Sequence, residues 1–192
     1  MGFAITWLAV KRGGMDQVLA RLSLNRTGRF EDDPESPFST ARLTSGWQLL
    51  WINDYDAPVL AAEHLKVISC DQDILVCRVE EHIMASSAEL WSSGQVAWSI
   101  SHVGTNGPVG LDIVGQPPAS FVAIRQDLEA TQIAEGGMSA DVDHIFDIPL
   151  QVARSLVGFK HDEDYEGAIE GRFEVLASAR GKKGGVISRL FG

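Results

Sequence analysis

Hydrophobic residues fall into short runs whose spacing changes along the chain, and the spacing predicts the elements. Residues 3–10 form a β-rich run closed by Gly13-Gly14. Val18, Leu19 and Leu22 then fall on one face of a short helix for which Asp16 is the expected N-cap. Residues 25–37 are polar and carry an acidic run, which predicts a surface loop. Residues 38–43 and 47–53, with Trp47, Leu49 and Trp51 alternating, predict a hairpin turning at Thr44-Ser45-Gly46. Asp56-Ala57-Pro58 reads as a helix start, with Ala61, Leu65 and Ile68 on the buried face. Residues 74–79 are apolar on both alternating faces except at Arg78, which predicts a central strand covered on two sides. A second hairpin, 88–92 and 95–102, turns at Ser93-Gly94, and 111–114 is a weak strand. Ser120 opens a helix with Phe121, Ile124 and Leu128 inward, which Gly136-Gly137 stops. Asp147 is the expected cap of another, with Pro149 in its first turn and Gly158 as terminator. Residues 172–177 are a last short strand.

This pattern predicts a single α+β domain over residues 1–177, a mostly antiparallel sheet of hairpins with about four packed helices. Ala41 to Gly46 before Trp51 is similar to Ala88 to Gly94 before Trp98. Two related hairpin-plus-helix halves would explain it, and so would the general likeness of Ser-Gly turns between amphipathic strands. Residues 178–192 differ in kind. They read as a flexible basic tail, with Gly181, Gly184 and Gly185, four cations, no acid and the closing pair Leu190-Phe191.

Charge then narrows the function classes. The 192 residues hold 26 Asp+Glu against 16 Lys+Arg, a formal charge of −10. Without the tail, 12 cations face 26 acids, leaving −14. Such a surface argues against nucleic acid, whose binding needs clustered cations, and favours a basic protein partner. The apolar opening stops at Lys11, far short of the roughly 20 residues that span a bilayer, so no membrane span is expected and the cytoplasm is the expected location. Cys70 and Cys77 have no further ligands at metal spacing and read as structural thiols. All five tryptophans fall on predicted strands or hairpins. Trp47 and Trp98, with Leu190 and Phe191 of the tail, are the candidate partner-binding residues.

Candidate chemistry is sparse. Glu80 and His82 end the central strand on one face and could serve as base and partner or as metal ligands, although a strand leaving the core also simply becomes polar. Asp141, Asp143, His144 and Asp147 lie close enough to suit a hard or borderline metal. Asp143 and His144 are the weak ligand candidates, because Asp147 reads as a cap and the segment lacks a calcium loop's glycine and later glutamate. His161-Asp162-Glu163-Asp164 reads as a solvated acidic loop whose carboxylates favour a protonated His161. No Gly-x-Ser-x-Gly elbow or phosphate loop is present, and no cofactor is expected.

Residues 146–162, from Phe146-Asp147-Ile148-Pro149 to Gly158-Phe159-Lys160-His161-Asp162, resemble a group of bacterial conserved proteins of about this length. The openings (Gly2-Phe3-Ala4-Ile5-Thr6-Trp7) and Val79-Glu80-Glu81-His82 are also similar. The resemblance implies a self-contained bacterial cytosolic domain and carries no activity. The leading expectation is therefore a non-enzymatic protein-interaction module with an acidic surface, an antidote-like role being one version. A small-molecule or metal-dependent enzyme near Glu80, His82, Asp143 and His144, and a structural subunit of a homo-oligomer, are the alternatives.

Overall fold

A computed structural model describes residues 2–104 and 110–179. Nine strands form one sheet: β1 (Ala4–Lys11), β2 (Leu24–Glu31), β3 (Phe38–Arg42), β4 (Trp47–Ile52), β5 (Ile74–Glu80), β6 (Ala85–Ser92), β7 (Gln95–Val103), β8 (Leu111–Gly115) and β9 (Phe173–Ser178). Their order across the sheet is β2-β9-β3-β4-β1-β5-β6-β7-β8, and every pairing is antiparallel. Four helices cover it: α1 (Met15–Leu22), α2 (Ala62–Ile68), α3 (Ser120–Ala134) and α4 (Asp147–Val157). The chain is thus α+β with a mostly antiparallel sheet, as the periodicity predicts.

Because successive side chains of a strand point to opposite faces, β1 and β5 supply two cores at once. Ile5, Trp7, Ala9, Leu75, Cys77 and Val79 pack under α3 and α4. Leu8, Val10, Ile74 and Val76 pack under α1 and α2. On the first face Trp51 is the hub of an aromatic group. It meets Phe159, Tyr165 and Phe173 edge-on at 6.3, 6.4 and 6.4 Å, and Tyr165 stacks on Phe159 at 5.6 Å. These rings hold the connection between α4 and β9 against the sheet. Four tryptophans share this face, but Trp91 belongs to the other core, beyond the register shift between Leu90 and Trp91. The hairpins β3–β4 and β6–β7 flank the central β1–β5 pair on opposite sides.

Several local expectations are corrected. Residues 24–31 are not loop but an edge strand, polar because its side chains are mostly exposed. The Asp56-Pro58 start yields only a 3₁₀ turn, and α2 begins at Ala62. Neither Asp16 nor Ser120 caps its helix through its side chain. Asp147 sits inside the first turn of α4 with its carboxylate turned to Lys160 and Gln151.

Gly115 ends β8 at φ 70, and a Cβ there would stand 2.2 Å from the Ala97 carbonyl oxygen on β7. Gly28 on β2 has φ 71 with open space around it. Gly115→Ala should therefore cost about 2 kcal/mol or more, combining strain with a backbone clash, and Gly28→Ala only about 1 kcal/mol. Urea unfolding midpoints of the two variants check the order.

Candidate functional site

The candidate residues from the sequence do not converge. β5 ends at Glu80 and residues 81–83 turn as 3₁₀, so period-two alternation does not apply to His82. The Glu80 carboxylate instead caps that turn, accepting from the His82 backbone N–H at 3.1 Å and meeting Nδ1 at 2.8 Å, with the imidazole mostly in solvent. Asp143 caps the turn Ile145 and Phe146 begin, taking both backbone N–H groups on one oxygen. Its other oxygen lies 2.8 Å from Nε2 of His102, a buried residue whose Nδ1 donates to the Gly110 carbonyl at 2.9 Å. His144 turns the opposite way, to Glu135 at 2.7 Å. Among the described residues no three His, Cys, Asp or Glu side chains are grouped to hold a metal ion. Trp47 and Trp98 are core residues, 8% and 4% exposed, which leaves little of either ring for a partner. Leu190 and Phe191 lie outside the described residues.

A polar cluster the sequence reading missed sits where the α4–β9 connection meets the start of β1. His161 is 1% exposed, not a solvated loop residue. Its ring meets Phe3 edge-on at 4.9 Å, and its nitrogens lie 3.6 Å from Glu81 and 3.8 Å from Asp162, too far for good hydrogen bonds. Burial pushes the His161 pKa down, and the opposing pull of Asp162 and Glu81 does not restore it. Proximity in sequence to carboxylates was thus the wrong guide; desolvation wins. Lys160 bridges Asp147 and Asp162 at 2.9 Å each. Burial alone would lower its pKa, but these two bonds raise it instead. Glu81 also accepts from the Phe3 backbone N–H at 2.8 Å. The cluster ties three elements together. Its signals in the sequence were the Gly158-Phe159-Lys160-His161-Asp162 stretch and the segments that carry Phe3 and Glu81, with nothing to show that they meet.

The outer edge of β8 is different in character. Among the described residues no strand pairs with that edge, and its register with β7 runs without a bulge. Val114 is 58% exposed and Ile113 is also exposed, with no charged side chain on the strand but Asp112. Beside it, Leu111, Ile133, Met138 and Ile145 line an apolar hollow of about 270 Å³. Ile133 is 74% exposed. The opposite edge is guarded. β2 carries Arg26, Arg29, Glu31 and a register shift between Arg26 and Phe30, devices that discourage strand addition. No protein-family model, no curated protein and no solved structure matches the chain.

Two outcomes follow from the buried imidazoles. A histidine whose folded pKa lies below its unfolded value of 6.5 contributes stability that is whole above about pH 6.5 and is lost as pH falls toward the lowered value. Stability measured by urea unfolding from pH 5 to 8 should rise with pH through that window, and His161→Gln should flatten the rise. His102→Ala empties a buried site and leaves Asp143 without its partner on β7, and should cost about 2–3 kcal/mol, read as the loss of unfolding free energy at pH 7.

Proposed function

We propose that this protein is a non-enzymatic interaction module of the cytoplasm that recognises an extended, apolar and cationic segment of a partner protein along the free edge of β8. The observation that carries the reading is an unguarded strand edge lying beside an apolar hollow. An added strand gains main-chain hydrogen bonds from such an edge, and a hollow on one face takes every second side chain of the incoming segment. The charge preference comes from the surroundings. Between Leu111 and Asp143 the chain carries six carboxylates against the single cation Arg125, a net charge of −5. That favours a basic partner and steers its encounter. An antidote-like role against a basic protein is one version of the reading. The free thiols of Cys70 and Cys77 suit a reducing compartment.

The alternative, an enzyme or metal protein built around Glu80, His82, Asp143 and His144, is less well supported. Glu80 pairs with His82, Asp143 with His102 and His144 with Glu135, each at a separate place.

Fluorescence anisotropy with two labelled ten-residue peptides tests the proposal, one alternating lysine with valine and one alternating glutamate with valine. The lysine peptide should bind, the glutamate peptide at least tenfold more weakly. Ile133→Lys, at an exposed position, should weaken binding without unfolding the protein. Hydrogen exchange should show new protection on the β8 amides. Equal binding of both peptides, or protection confined to other strands, overturns the reading.

A further inference from the structure

We infer that the segment taken up by β8 is residues 180–191 of a second copy of this chain. The inference rests on the edge reading above and adds the identity of the occupant. Chemical complementarity is the first argument. β8 and the segment that follows it offer two things, an apolar hollow lined by Leu111, Ile133 and Met138 and a surplus of five negative charges over residues 111–143. Residues 180–192 offer the matching pair. Arg180, Lys182, Lys183 and Arg189 come with no acid, and Val186-Ile187-Ser188-Arg189-Leu190-Phe191 holds two β-branched and two large apolar residues around Ser188 and Arg189. Alternation along an extended strand puts Val186 and Leu190 on one side and Ile187 and Phe191 on the other. Either side thus supplies two apolar side chains to the hollow.

Reach decides between the chain's own tail and that of another copy. β9 ends at Ser178 and is second in the sheet order, while β8 is ninth. Seven inter-strand steps of about 4.8 Å make the path across the sheet between them roughly 34 Å. From Ser178 to Val186 there are eight residues, which span at most about 29 Å when fully extended. A path on either face must also pass around the helices that cover the sheet. The segment therefore falls short of its own β8 and meets that of a neighbour. Reciprocal donation between two copies closes a dimer.

The experiment uses the full chain. Light scattering coupled to size-exclusion chromatography, from 1 to 200 µM, should show a dimer that dissociates on dilution and as salt rises. The double variant Leu190→Asp, Phe191→Asp changes only the donated segment and should be monomeric throughout, with an unchanged circular dichroism spectrum. Ile133→Lys on the accepting surface should weaken association at least tenfold. A synthetic peptide of residues 180–192 should compete the dimer apart and bind the monomeric double variant. A wild-type chain that stays monomeric at 200 µM, or a dimer indifferent to the Leu190 and Phe191 substitutions, overturns the inference. The edge reading fails separately. If the lysine-valine peptide binds β8 while the wild-type chain is monomeric, β8 serves another protein and only the self-association is wrong.

Discussion

Strand β1 is hydrogen-bonded on both sides and buried on both faces, and the rest of the molecule hangs on that double burial. Trp7 and Ala9 belong to one core, Leu8 and Val10 to the other, all within 1% of complete burial. A strand apolar on both faces cannot be satisfied by a single helical layer. α1 and α2 must close one side and α3 and α4 the other. Each large side chain so buried contributes about 1.5–3 kcal/mol relative to leaving it in water. The central β1–β5 pair thereby anchors everything laid down beside it. The aromatic group around Trp51 extends the same logic, pinning the α4–β9 connection and carrying Lys160 and His161 to the start of β1.

What the sequence made legible follows from this. β1, β4 and β5 have apolar patterns dictated by their surroundings, and helix α4 shows its stripe of buried Ile148 and Val152 and partly buried Leu156 for the same reason. β2 was illegible because an edge strand with exposed side chains has no apolar period to display. The N-cap assignments of Asp16 and Asp147 failed for a different reason. A carboxylate at a helix start has other suitors, and for Asp147 the buried Lys160 Nζ is the stronger attraction. His161 could not be read from its neighbours in sequence, since its environment is set by Phe3 and Glu81, some 80 and more positions away. Glu80 and His82 did come together, though as a turn cap and not as a strand pair.

The polar groups with the most partners are therefore those that join elements. Asp143 fastens a turn to β7 through His102, and Glu81 fastens the first strand to the second half of the sheet. Such groups are spent on architecture, since a carboxylate already holding two or three donors has little left to offer a substrate. The molecule's unspent capacity lies at its periphery, in main-chain groups of β8 and apolar side chains of α3. Recognition by backbone pairing, as proposed for β8, draws on main-chain groups and needs no reactive constellation.

The place of β9 has a consequence for how the protein comes into being. Among the described residues β9 is the last strand in sequence but lies between β2 and β3, and it is the sole strand that pairs with β2. On the ribosome β2 must wait for its neighbour while about 140 further residues are made, roughly 7–30 s at ordinary elongation speeds. A nascent strand left unpaired that long invites misassociation. Asn25, Arg26, Thr27, Gly28 and Arg29 make it hydrophilic enough to wait in solvent without harm.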